Sequence, residues 1–280
     1  MSLQPTRRSL LGGVAAGAFV LAARTSGAHA LLAKPELVDW DADVFLSIAP
    51  NGDVTIVAHR SEMGTGIRTS LPQVLADELG ADWDRVSLEQ ATGDRKYGDQ
   101  NTDGSRSVRQ FFTKMREVGA TARTMLERAA AERWGVPASE CRGRDHVVTH
   151  TPSGRELAYG DLVEAAGALE TPALEDVKLT PRSEWRYIGA GLPIADLDEI
   201  VTGSGVFGID ARRENQLFCV IAHPPVLGSE VDDFDDTKAR AVKGVVDVIE
   251  VPRYEGAHAF QPLGGIAVLA DSTWAAIQGR

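Results

Sequence analysis

From Asp43 onward, apolar and polar positions alternate with the two-residue period of a strand. Val44, Leu46 and Ile48 are followed by Asn51-Gly52 and then by Val54, Ile56 and Ala58. Alternation on both sides of Asn-Gly predicts a β-hairpin, because the tight turn needs positive φ at its centre. The period then changes. Leu71, Val74, Leu75 and Leu79 recur at three-to-four spacing, one face of a helix that Gly80 can end. Thr69 and Ser70 are helix-capping residue types and Pro72 suits a first turn, so the helix is expected to open there. "DRVSLEQA" offers a further strand around Val86 and Leu88, and a polar loop spans 92–104. A long helix follows through Phe111, Met115, Val118, Ala122, Met125 and Ala129. Those steps of four and three place all six on one buried face.

"HVVTHTPSGREL" reads as strand, Ser153-Gly154 turn and strand, and "YGDLVEAAGAL" as a short helix capped by Asp161. Residues 171–198, with Pro172, Pro181 and Pro193, read as a connector to a second unit. There, 204–209 and 216–222 are expected to be β-rich, 235–242 helical, and 245–251 and 265–269 strands. The pattern is α+β.

The N-terminus carries a different pattern. "TRRSLLGGVAAGAFVLAARTSGAHA" has paired arginines, a mild apolar stretch over 10–23 and an Ala28-His29-Ala30 cleavage site. Residues 1–30 therefore read as an export signal, and Thr6-Arg7-Arg8-Ser9-Leu10-Leu11 resembles the twin-arginine type. The apolar run is short for a span of about 20 residues. Periplasmic delivery of a chain that folds before transport, often around a cofactor, is the expectation. The formal net charge is −11, which argues against nucleic acid as a partner. Cys141 and Cys219 are widely separated and form no CxxC pair, so neither a zinc site nor an iron–sulfur cluster has its ligands here. His146 and His150 have the i, i+4 spacing of helical metal ligands, but Val147, Val148 and Thr149 between them favour a strand.

Two loops carry candidate chemistry. Glu62-Met63-Gly64-Thr65-Gly66 leads into the first helix, and Asp103-Gly104-Ser105-Arg106-Ser107 leads into the long one. A glycine-bearing loop at a helix N-terminus offers N–H groups and a positive dipole end to an anion. Gly64, Thr65, Gly66, Thr69, Gly104 and Ser105 are the candidate binding residues, and the two loops could converge on one ligand. The same residues also read as ordinary tight turns.

The run Glu62-Met63-Gly64-Thr65-Gly66, with Thr69, Gly104-Ser105 and the long helix, resembles the molybdenum-cofactor domain of the xanthine dehydrogenase/aldehyde oxidase family. The order of segments is similar to that of the isoquinoline 1-oxidoreductase type large subunit. "RYIGAGLPIADLDEIVTGSGVFGID" resembles the entry to the family's small α/β hammerhead domain, and "AVLADSTWAAIQGR" its late strand and following helix. The resemblance implies part of a molybdopterin-binding domain over 40–170, the connector 171–198 and a hammerhead-like domain over 199–280. It also implies molybdopterin, expected in dinucleotide form, and hydroxylation of N-heteroaromatics or aldehydes with water as oxygen source. Electrons would leave through an iron–sulfur small subunit, with a cytochrome c as a possible acceptor.

Two departures bear on activity. Thr65 stands where the family has glutamine, which shortens the reach of that side chain. The sequence stops at Arg280, before the family's G-x-G-E glutamate, so the cofactor would be shared with a further C-terminal segment. No catalytic residue and no metal ligand is assigned within the chain, which is expected to be inactive alone. Two other readings stand beside this one. A nicotinamide dehydrogenase would use Gly64-Thr65-Gly66, but the third glycine is replaced by Thr69 and the acidic residues of the 82–84 region come too early. A non-catalytic exported interaction module would share every feature of the fold.

Overall fold

A computed structural model describes the backbone of Phe19–Val20 and residues 44–256 and 261–280. Arg7, Arg8 and the Ala28-His29-Ala30 site, on which the export reading rests, lie outside the described residues. Two compact units divide at Gly203/Ser204.

In the first unit, β1 (Phe19–Val20), β2 (Leu46–Ile48), β3 (Val54–Ala58) and β4 (Val86–Gln90) form a sheet in that order. The predicted hairpin is β2–β3, with Ile48 opposite Val54 and Leu46 opposite Ile56. Its inward residues Leu46, Ile48, Val54, Ile56 and Ala58 are buried. β4 runs parallel to β3. The crossover between them holds helix α1 (Ile67–Leu79), so that the loop at 61–66 sits where β3 ends and α1 begins. Helix α2 (Ser107–Trp134) packs along α1, and all six residues of its predicted stripe are buried. Gly119 makes the approach possible. A Cβ there would stand 2.4 Å from the Leu75 carbonyl oxygen. A second sheet follows, β5 (Cys141–Arg144), β6 (Val147–His150) and β7 (Arg155–Ala158), antiparallel throughout. Helix α3 (Tyr159–Ala168) closes this region.

The connector is a strap on α1. Asp77 accepts from the backbone N–H groups of Arg186, Tyr187 and Ile188 at 3.1–3.2 Å, and Glu78 accepts from that of Thr180 at 2.8 Å. Arg116 and Arg123 pair with the Glu78 carboxylate. Gln73 donates to the Tyr187 carbonyl and Arg68 pairs with Asp196. Residues 180–196 therefore belong to the first unit, and α4 (Leu197–Thr202) ends it.

The second unit holds a sheet of order β8-β10-β9, formed by β8 (Phe218–Ala222), β9 (Val245–Val251) and β10 (Gly265–Ala270). Helices α5 (Thr237–Arg240) and α6 (Thr273–Gly279) accompany it. Residues 204–209, expected as β-rich, form no strand and end in a short 3-10 turn, Gly208–Asp210. Val206 and Ile209 are 80% and 85% exposed. Apolar alternation becomes a strand only beside a partner ladder, and among the described residues none pairs with 204–209.

Candidate functional site

Helix α1 begins two residues earlier than its sequence suggests. Its N-cap is Gly66 in the left-handed region, with no side-chain bond from the cap itself. Glu62 supplies the cap instead. Its Oε1 accepts from the N–H groups of Met63, Gly64, Thr65 and Gly66 at 2.7–3.0 Å, and Oε2 from that of Arg68 at 3.1 Å. Burial pushes this carboxyl up, but the N–H groups of Arg68, Gly66, Gly64 and Thr65 outweigh it and hold the group below its ordinary value. Gly64 (φ 95°) and Gly66 (φ 75°) supply the left-handed backbone that turns the N–H groups inward onto one carboxylate. Among the described residues, a Cβ at Gly64 would meet no atom within 4 Å, so there the φ, not crowding by those residues, demands glycine.

The expected capping roles of Thr69 and Ser70 fall away for the same reason. Thr69 is buried, and its hydroxyl accepts from the Ala195 N–H at 2.9 Å, which directs it toward the strap. Ser70 donates to the Gly66 carbonyl at 2.7 Å. Asp161 likewise lies in the first turn of α3, whose N-cap is Ala158.

At the second loop, Gly104 (φ 51°) and Ser105 (φ 53°) are both left-handed. Helix α2 starts at Ser107 behind Arg106, which makes no side-chain cap. Its N-cap therefore offers the first N–H groups no side-chain acceptor. The two loops meet. Met63, Thr65, Ile67 and Ser70 from one side and Thr102, Asp103, Gly104, Ser105, Ser107 and Val108 from the other line an open cleft of about 420 Å³. Thr102 Oγ1 ties the lips together by donating to the Ser61 carbonyl at 2.7 Å. Of the six candidate residues, Thr65, Gly104 and Ser105 line the cleft, Gly64 and Gly66 shape its wall, and Thr69 points elsewhere.

Arg60, at the end of β3, lies beneath the cleft with its side chain 1% exposed. Nε donates to Ser107 Oγ at 3.0 Å, and Nη1 to the Asp99 carbonyl at 2.6 Å and its carboxylate at 3.0 Å. Arg106 joins from the other side, to Asp99 at 3.1 Å and Asp103 at 2.5 Å. Burial would raise the Asp99 carboxyl, but the Asn101 N–H and the Arg60 guanidinium lower it further. The Arg60 ring contact with Phe111, 5.2 Å, completes the seat. Sequence reading passed over Arg60 because a lone arginine at a strand end carries no local pattern. His59 beside it packs against Phe45 and Phe111, and burial together with Arg60 holds its imidazole down at about 3, hence neutral. His146 and His150 are not paired as metal ligands. His146 Nδ1 accepts from the Asp82 N–H at 2.6 Å, while His150 contacts Glu140 and Ser153.

The family model described as the molybdopterin cofactor-binding domain matches residues 9–196, which take in both loops, the cleft and the strap. The chain belongs to that family. It is 31% identical over 256 residues to the beta subunit of isoquinoline 1-oxidoreductase from Brevundimonas diminuta, covering 78% of this chain and 33% of that protein. It is 32% identical to a membrane-bound aldehyde dehydrogenase [pyrroloquinoline-quinone] of Gluconacetobacter polyoxogenes, covering 97% and 36%. It is 27% identical to a nicotinate dehydrogenase subunit of Pseudomonas putida, covering 82% and 20%. This chain thus spans at most about a third of the curated relatives it matches. The donor set fits a molybdopterin. Hydroxyls of Thr65, Ser105 and Ser107, uncapped N–H groups at α2 and a buried arginine suit a polar, phosphate-bearing molecule.

Proposed function

We propose that this chain forms one wall of the cofactor site in the large subunit of a molybdenum hydroxylase acting on N-heteroaromatics or aldehydes. Water is the oxygen source in this reading. One observation carries it: a chain of the molybdopterin-binding family brings its two glycine-bearing loops to a single cleft. When bound, the cofactor supplies the two-electron redox chemistry, and the protein supplies position and hydrogen bonds. Thr65, Gly104 and Ser105 hold the ligand's polar groups, and the Gly64–Gly66 backbone keeps the wall in shape. No general base is assigned to this chain. That role, worth about 10²–10⁴-fold in such reactions, falls to the rest of the relatives' length.

The reading extends to the remaining assignments. The cofactor is in dinucleotide form, an iron–sulfur subunit takes the electrons, and residues 204–280 form the hammerhead-like domain. An experimental structure of the complete large subunit would decide that last point. The first 30 residues direct twin-arginine export.

The test is to produce the chain together with a polypeptide supplying the rest of the relatives' length and the iron–sulfur partner. Stoichiometric molybdenum, dye reduction with a heteroaromatic or an aldehyde, and recovery from the periplasmic fraction are expected. The chain alone is expected to hold no metal and turn over nothing. Bound pyrroloquinoline quinone in place of molybdenum, as the name of the Gluconacetobacter relative would have it, would overturn the reading. So would a metal-free complex.

A further inference from the structure

Away from the cleft, the hairpin β6–β7 lines up four polar side chains in donor-to-acceptor order. His150 ends β6 opposite Cys141 and is 6% exposed. Its Nε2 lies 2.8 Å from Glu140 Oε2, and its Nδ1 lies 2.6 Å from Ser153 Oγ. A carboxylate only accepts, so in the neutral ring Nε2 carries the proton and Nδ1 keeps its lone pair. The Ser153 hydroxyl then donates to Nδ1. A guanidinium only donates, and Arg155 Nε gives its proton's bond to Ser153 Oγ at 3.0 Å. The direction runs from Arg155 to Ser153 to His150 to Glu140. A hydroxyl, a base that can take its proton and an acid that fixes the base's tautomer are the parts of an activated nucleophile. The backbone holds them in register. The Thr151 N–H donates to the Glu140 carbonyl at 2.8 Å, and the Ser153 and Gly154 N–H groups donate to the His150 carbonyl at 3.2 and 2.8 Å. These bonds already close the turn, so the side-chain order is additional to what the hairpin needs. Arg155 is steadied over the Trp134 ring at 5.3 Å.

We propose that Ser153 is a nucleophile that accepts a short acyl group from an activated ester. His150 is its base, Glu140 positions the ring, and Arg155 places a positive charge beside the oxygen that attacks. Ser153 Oγ bonds to the acyl carbon as its proton passes to Nδ1. The bond from that carbon to the leaving oxygen breaks, and the leaving oxygen takes the proton from Nδ1. Water releases the acyl group from Ser153 by the same route, giving a carboxylic acid and the free hydroxyl. Ser153 and Arg155 are exposed, so the ester is met at the surface. That sets the class of substrate: a small acyl chain, which needs no enclosing pocket, on a phenol-like leaving group. The site shares no residue with the cofactor cleft and stands or falls apart from the molybdenum reading.

The experiment treats the full chain, without cofactor, with para-nitrophenyl acetate and separately with a fluorophosphonate, locating the label by mass spectrometry. Release of nitrophenol and a single label on Ser153 are expected. Ser153→Ala, at an exposed position, should keep the fold, lose the label and fall to the background rate. His150→Gln should slow the reaction about 10²-fold or more, the share of a general base. Glu140→Gln should slow it less and leave the label on Ser153. If His150→Gln does not fold, Ser153→Ala and Glu140→Gln carry the test. A Ser153→Ala chain as fast as the parent would overturn the proposal, as would a folded parent with no label on Ser153. So would a Ser153→Ala chain that loses melting temperature alone, which would make the four side chains a lock on the hairpin.

Discussion

Glu62, Gly64 and His59 lie within six positions of one another, and each acts through the backbone or the burial around it. At Gly64 a valine would be forced to φ near 95°, a conformation costing a β-branched residue about 1–3 kcal/mol. No atom of the described residues stands within 4 Å of its Cβ, so the fold should survive while the wall shifts. Gly64→Val is expected to lower the melting temperature by a few degrees and to abolish molybdopterin retention in the complete enzyme. Full cofactor occupancy would reduce the loop to a plain turn. His59 gives a prediction in pH. Its folded pKa is depressed from 6.5 to about 3, so below 6.5 the unfolded chain takes up a proton that the folded chain refuses. Stability is complete above that pH and falls by up to about 1.4 kcal/mol per pH unit as the medium is acidified toward 3. His146, also depressed by burial and by Arg85, steepens the slope. Denaturant midpoints between pH 6.5 and 4.5 should show it, and His59→Phe should remove one proton's share. An unaltered slope would count against a neutral buried His59.

Elements show how one helix serves two neighbours. Leu71, Leu75 and Leu79 put one stripe of α1 into the core, while Thr69, Gln73 and Asp77, also four apart, hold the strap. The first stripe was legible because hydrophobic periodicity is local. The second was not, since Thr, Gln and Asp at helical spacing look like a solvated face. Asp77 is 4% exposed and accepts from three consecutive backbone N–H groups. Asp77→Ala would leave those donors and Arg186 without their acceptor, a loss of about 3 kcal/mol. Limited proteolysis should then cut within 181–196, where the parent chain resists. Equal resistance would mean that the strap is held by other contacts. The start of α1 was misplaced for a related reason: its cap comes from Glu62, outside the helix and five residues before it. Strand β5 escaped notice because "CRGR" carries no apolar alternation, and only pairing with β6 makes it a strand.

Across the whole molecule the two units are unequally built. The buried cluster of the first unit runs from Phe45 to Ala166 and includes the α1–α2 interface. That of the second comprises Ala270, Ala275 and Ala276, with Val220 and Val245 against it. Burial of apolar area scales stability at about 25 cal/mol per Å², so the second unit should melt first. Calorimetry of the full chain is expected to resolve two transitions, the lower one absent after truncation at Gly203. A single cooperative transition would show that the units stabilise each other.

By itself the sequence determined the hairpin, both long helices and the family, because each is written in periodicity or in contiguous motifs. Tertiary structure decided which polar groups are spoken for. Glu62 fills one loop, Thr69 turns to the strap, and Arg60 comes up beneath Ser107, 47 residues away. The physical reason is reach: a pattern records what a residue is beside its neighbours in the chain. The state of a hydrogen-bond donor depends on whichever acceptor the fold brings within 3 Å.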